Sequence, residues 1–305
     1  MTYKDHISNN DFNFIPDYYS KVKLSHFSPS QCNLPNDVWL HNYIFRNKEW
    51  RSQRTMNPNV HAGNASQDGV NYYIYEADQD DDPLGAAKKY ALKKFKEKKL
   101  FFHGSQQEQW EVCNELIPMC VENGLDALTE IEFFTRSSVR PSTEEYCQLQ
   151  MPGIEVKTEG KTDLLTKDYA VELKTKWKRR GAVKKDGTRS WNKVTLPKEP
   201  DWNYLCQCAF YHFATKKPVY LIYHTGFEKG SYKIFHKDNC EKMRPEFLKY
   251  CLEHFQMVQT VRQNLLEISS SPRELAKYIQ PDFSSFYWND LSDEEMEEAR
   301  SLWIK

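Results

Sequence analysis

The stretch Gly160–Arg180, GKTDLLTKDYAVELKTKWKRR, places Asp163, Glu172 and Lys174 inside a segment that otherwise reads as strand. Successive side chains of a strand point to opposite faces, so Glu172 and Lys174 share one face while Val171 and Leu173 take the other. The turn LTKD, Leu165–Asp168, leads back to a preceding strand that carries Asp163. Pairing of the two strands sets the Asp163 carboxylate beside that of Glu172, and Asp168 falls in the turn. Two carboxylates and an ammonium then converge.

Hard divalent cations such as Mg²⁺ take oxygen ligands, commonly one or two carboxylates with water and phosphate oxygens completing the shell. Asp163 and Glu172 suit that role. A lysine beside them can orient a water or stabilise charge on a phosphate, which implies phosphodiester hydrolysis. A Glu-x-Lys triplet alone says little, because Glu97-Lys98-Lys99 and Glu155-Val156-Lys157 also occur, and a surface ion pair is the plainer reading of any one of them. Glu172-Leu173-Lys174 differs by its context. It has Gly160–Asp163 before it, apolar flanks, and a helix bearing Gln207 after it.

Taken in order, GKTD, ELK and QCAFY (Gln207–Tyr211) resemble the motifs of the PD-(D/E)xK nuclease superfamily, in its RecB-like and phage-lambda-exonuclease-like branch. There Gly-x-x-Asp is followed by (Asp/Glu)-x-Lys and then Gln-x-x-x-Tyr on a helix. Lys161 and Thr162 stand where the superfamily's name has proline, a departure common in this branch. The resemblance spans about Gly104 to His224, with a looser echo in Leu24–Phe45. It implies an α/β fold, a central mixed β-sheet flanked by helices with a restriction-endonuclease-like core, carrying helical N- and C-terminal additions.

The resemblance also implies a site. Mg²⁺, with Mn²⁺ as substitute, is expected on Asp163, Glu172 and the Leu173 carbonyl, with Lys174 assisting the attacking water and Gln207 organising the lysine or the DNA. An upstream helix in the family supplies one more residue, often as Gly-x-x-x-(Glu/His). GSQQE (Gly104–Glu108) makes Glu108 the preferred catalytic residue and ligand, GNASQ (Gly63–Gln67) offers Gln67, and Glu132 is a third candidate. The implied activity is exonucleolytic hydrolysis of DNA, on double-stranded ends or single strands, as in phage replication or recombination. A structure- or site-specific endonuclease on the same fold and a non-catalytic DNA-binding module are the alternatives. Cys32 is similar to an iron–sulfur ligand of some relatives, but only Cys240 and Cys251 lie towards the C-terminus, so no iron–sulfur cluster is expected.

A net charge of -1 gives no global field to attract nucleic acid, so contacts must come from a local patch. Lys174–Lys198 provides one, with ten Lys or Arg against the single Asp186 and with Trp177 and Trp191 interleaved. Phosphates would follow Lys176, Lys178, Arg179, Arg180, Lys184, Lys185 and Arg189, and bases could stack on Trp177. Tyr211, one turn from Gln207, is expected to face the same substrate. Eight cysteines without a CxxC pair read as free thiols, and neither a signal peptide nor a membrane span is expected. The expected compartment is the cytoplasm, that of the host under the phage reading.

The length of 305 residues suits one elaborated nuclease domain: residues 1–103 mostly helical, 104–238 the α/β core and 239–305 C-terminal helices. Within it the pattern predicts a helix from Pro83 to near Lys99, another from Gly104 to Gly124 despite Pro118, and a strand over Leu128–Arg136. A buried helix (DWNYLCQCAFYHFATKK), a buried strand (PVYLIYHT) and an edge strand (SYKIFH) follow. A long amphipathic helix begins near Cys240, and Ser292 with Glu295 forms a capping box for the last one.

Overall fold

A computed structural model describes residues 24–45, 57–97, 106–136, 142–143, 145–178, 180–187, 189–192, 194–269, 271–289 and 291–303. Helices are α1 (Asn36–Leu40), α2 (Pro58–Tyr75), α3 (Pro83–Glu97), α4 (Gln106–Glu130), α5 (Phe133–Arg136), α6 (Trp202–Thr215), α7 (Pro245–Ile268), α8 (Pro272–Leu275) and α9 (Asp293–Trp303). Strands are β1 (Ser142–Thr143), β2 (Tyr146–Leu149), β3 (Thr158–Lys161), β4 (Leu164–Leu165), β5 (Ala170–Thr175), β6 (Arg180–Val183), β7 (Arg189–Trp191), β8 (Val219–His224) and β9 (Tyr232–Phe235). The chain divides into two compact units, one of residues 54–145 and 161–248, the other of 1–53, 146–160 and 249–305. These do not follow boundaries at 103 and 238. Helices α2 and α3, assigned by sequence to an N-terminal elaboration, belong to the same unit as the α/β core.

In the first unit the sheet order is β1-β4-β5-β8-β9, with β5 and β8 parallel and every other pair antiparallel. A parallel pair needs a crossover connection, and α6 lies in the one between β5 and β8. The expected α/β class, a mixed sheet flanked by helices, is what the chain adopts. Val171 and Leu173 of β5 and Ile222 of β8 join one apolar core with Ala62, Ala91, Phe95, Ile117 and Val121 of α2, α3 and α4. The alternate residues of β5 face the other way, where Lys174 lies over the Tyr204 ring of α6. Each fully buried aliphatic side chain on that shared core contributes roughly 1.5–3 kcal/mol relative to exposure.

Local chemistry explains the element boundaries. Helix α2 starts at Pro58 behind Asn57, whose side chain accepts from the Asn59 backbone N–H at 3.0 Å. Helix α4 carries Pro118 internally and does not stop at Gly124, as the sequence suggested, but runs on to Glu130. Gly124 lies inside the helix and packs closely, since a Cβ there would lie 3.2 Å from Val70 Cγ2. The strand expected over Leu128–Arg136 is therefore absent: Leu128 and Ala127 are buried in the end of α4, Glu132 turns the chain at φ 56°, and Phe133–Arg136 is helical.

In the second unit, β2 and β3 form a two-stranded sheet and Phe27 bridges to Thr158 in parallel. Gln259 of α7 donates to the Thr158 hydroxyl at 2.8 Å. Arg262 is fully buried, donates to the Gln31 and Leu34 carbonyls at 2.9 Å each, and stacks on Trp39. Its charge is met by backbone dipoles and an aromatic face. The Ser292–Glu295 capping box forms as expected, with reciprocal donations of 2.7 and 3.2 Å.

Candidate metal centre

Strands β4 and β5 make the hairpin that the sequence implies, with Leu164 opposite Val171 and Leu165 opposite Ala170. Its turn is closed by Thr166, whose hydroxyl accepts from the Asp168 and Tyr169 N–H groups at 3.2 and 3.0 Å. Asp168 is exposed in that turn. One residue before β4, Asp163 swings its carboxylate onto β5, where Oδ2 accepts from the Leu173 N–H at 2.6 Å. The side chain thus continues a hydrogen-bond ladder that the two-residue strand β4 is too short to continue with its own backbone. Its other oxygen, Oδ1, accepts from Gln67 Nε2 of α2 at 2.8 Å.

Glu172 is 1% exposed. Its Oε1 lies against Lys174 Nζ as an ion pair, while Oε2 has no hydrogen-bond donor among the described residues. Burial pushes the Glu172 carboxyl up to about 8, reinforced by Asp163 and opposed by Lys174. For Lys174 burial works against the charge, but Glu172 and Asp163 outweigh it and hold the ammonium above its usual range. A buried carboxylate oxygen without a donor costs free energy unless a cation reaches it.

These side chains open on a cavity of about 890 Å³ that also holds Gln67, Trp177, Tyr204 and Gln207. One stripe of α2, Val60, Gly63, Asn64 and Gln67, lines it at helical spacing. Asp201 lies there too, but Lys176 donates to it at 2.7 Å. The Lys176 ammonium sits over the Tyr204 and Tyr223 rings, 5.5 and 5.0 Å from their centroids.

The remaining expected residues fall in different places. Glu108 does not join the cavity: it is exposed in the first turn of α4, whose inward positions are Gln109 and Cys113. Glu132 lines a separate depression of about 580 Å³ with Glu130, Tyr220 and Tyr232. Of the three upstream candidates, the structure brings Gln67 to Asp163. Tyr211, expected to touch DNA, is instead 2% exposed and donates to the Lys161 carbonyl at 2.5 Å. Gln207 Nε2 donates to that same phenol at 3.1 Å. Burial, then Glu172 and Asp163, raise the Tyr211 pKa well above its usual value, so the phenol stays neutral and pins the strand before Asp163.

The basic segment folds into the β6–β7 hairpin, with Lys184 and Lys185 exposed at its turn. Trp177 is half-buried against the α2–α4 core, and Lys178 lies over the Phe227 ring. Arg179 lies outside the described residues, as do Gly104 and the side chains of Arg180 and Arg189. Tyr204 and the α2 stripe escaped the sequence reading. Gly63–Gln67 carried a motif-like spacing, but nothing marks Tyr204 apart from its position three residues before Gln207.

The donor set fits a hard divalent cation. Two carboxylates converge, one oxygen of Glu172 lacks a donor, and among the described residues no group of three or more His, Cys, Asp or Glu gathers. Mg²⁺ and Mn²⁺ take oxygen donors of this kind and keep several water or phosphate oxygens.

No family model matches the chain, and no curated protein matches it in sequence. Among solved structures, a presumed exonuclease from Eubacterium rectale aligns over 94% of this chain and 93% of its own, at 14% identity and a TM-score of 0.48. The structure of SSO0001 aligns over 50% of this chain and 68% of its own, at 13% identity and a TM-score of 0.26. Both likenesses are too loose to carry a functional argument.

Proposed function

We propose that this protein is a metal-dependent nuclease that hydrolyses phosphodiester bonds of DNA, acting from ends as an exonuclease. The observation that carries the reading is the convergence of Asp163, Glu172 and Lys174 on one cavity, with a buried carboxylate oxygen of Glu172 left without a donor. Mg²⁺, or Mn²⁺ in its place, would be held by Asp163, Glu172 and the Leu173 carbonyl. Such a cation, when bound, neutralises phosphate charge and lowers the pKa of a water.

The chain's own residues do the rest. Lys174, held charged, places an ammonium at the cavity where negative charge develops on the phosphate oxygens, and it orients the attacking water. Glu172 and Tyr204 keep that ammonium in place from two sides. Gln207 and Tyr211 hold the backbone at Lys161, two residues from Asp163, so the carboxylate cannot drift. The basic segment that leaves β5 lines the cavity at Lys176, Trp177 and Asn192, and its cations would guide the phosphate chain. Processing of DNA ends in phage replication or recombination, in the cytoplasm, is part of the same proposal and rests on the motif resemblance alone.

The test is nucleotide release from linear and closed-circular duplex with and without Mg²⁺. Wild type is expected to degrade only the linear form and only with Mg²⁺, and Lys174→Ala to lose about 10²-fold or more of the rate. Equal release by wild type and Lys174→Ala would sink the mechanism. Cleavage of the circle would replace the exonuclease with an endonuclease.

A further inference from the structure

Gln67 stands where the nuclease resemblance would place an acid or a histidine, and its chemistry there differs. The amide is neutral. Its Nε2 donates to Asp163 Oδ1 at 2.8 Å while the Leu173 N–H donates to Oδ2 at 2.6 Å, so the Asp163 carboxylate is gripped from both sides. A glutamate at this position would add a third acid to the cluster, and the amide adds none. Asp201, the other acid lining the cavity, is engaged by Lys176 at 2.7 Å. Among the described residues the centre is therefore a two-carboxylate site facing the half-buried ammonium of Lys174, which already takes up part of the negative charge of Glu172.

Resting on the metal-dependent reading above, we propose that Gln67 is a positioning residue that orients Asp163 without ligating. We further propose that the centre takes up its divalent cation together with a phosphate of the nucleic acid and holds it weakly without one. Cation affinity follows the number and charge of the oxygens a site supplies. Two carboxylates partly neutralised by Lys174 supply few, and a phosphate provides the missing charge and oxygens. A protein built this way engages its metal only where a phosphate is present. The cavity is bounded on this side by the α2 stripe of Val60, Gly63, Asn64 and Gln67, and at Gly63 no side chain projects into it.

The experiment measures Mn²⁺ binding to the full chain by electron paramagnetic resonance, alone and with thymidine 5′-monophosphate. That nucleotide has a phosphate but no phosphodiester bond, and its own Mn²⁺ binding is subtracted. Wild type is expected to bind Mn²⁺ about tenfold more tightly with the nucleotide than without it. Gln67→Glu is expected to tighten nucleotide-free binding about tenfold and to lose most of the nucleotide dependence. It should also lower the metal-free Tm, with Mn²⁺ restoring it. Gln67→Leu, which keeps size but not the donor, is expected to weaken binding about tenfold while the folding transition persists. If Gln67→Leu does not fold, Gln67→Glu still decides. Unchanged nucleotide-free affinity in Gln67→Glu overturns this proposal and leaves the nuclease reading standing. Absence of Mn²⁺ binding in every protein, with and without nucleotide, overturns the metal-dependent reading and this proposal with it.

Discussion

At the scale of single residues, the parallel strands β5 and β8 place His224 opposite Thr175. The imidazole is fully enclosed. Its Nδ1–H donates to the Cys120 carbonyl at 3.0 Å and its Nε2 accepts from the Thr175 hydroxyl at 3.2 Å. Burial lowers its pKa to about 4, against about 6.5 for an exposed histidine. The folded state thus holds the ring neutral, and the stability this contributes is present above about pH 6.5 and lost as pH falls towards 4. Urea midpoints measured between pH 4 and 7 should fall more steeply for wild type than for His224→Gln, and equal slopes would remove His224 from the acid response. The residues Asp163, Glu172 and Lys174 were legible in sequence because strand alternation and a short turn suffice to bring them together. Gln67 and Glu108 could not be ranked that way, since both lie on helices whose docking against the sheet is a long-range event.

At the scale of elements, α2, α3 and α4 meet at Gly69, where a Cβ would lie 2.8 Å from both Ala91 Cβ and Val121 Cγ2. Gly69→Ala is expected to lower stability by about 1–3 kcal/mol in denaturant melts, because overpacking outweighs the gain in helix propensity. Since α2 carries Gln67, activity should fall with it. Tyr211→Phe removes the donor to the Lys161 carbonyl and the acceptor for Gln207, at an expected cost of about 1–3 kcal/mol in the same assay. A neutral result would deny the phenol its bracing role. The misjudged strand at Leu128–Arg136 shows where local pattern fails: its alternating apolar residues are buried whether the segment extends or coils, and the continuing α4 helix decides.

At the scale of the whole molecule, a net charge of -1 supplies no global field, so the DNA affinity that the proposed function calls for would have to be local. Lys184 and Lys185 are exposed, so Lys184→Ala with Lys185→Ala should leave the melting curve unchanged and weaken DNA binding. The slope of log affinity against log salt should shrink by about 2 if both meet duplex phosphates. An unchanged slope would take the hairpin turn out of the DNA track. The β4–β5 hairpin with its three charged side chains, and the helix and strand that follow it (α6 and β8), were legible in the sequence itself, because alternation, turn residues and helical periodicity act over neighbours along the chain. The tertiary structure alone decided that α2 belongs with the α/β core, that Gln67 grips Asp163, that Tyr211 is buried, and that Tyr204 faces Lys174. Each depends on which helix face docks against which strand, and that is settled by the collective packing of residues far apart in the chain.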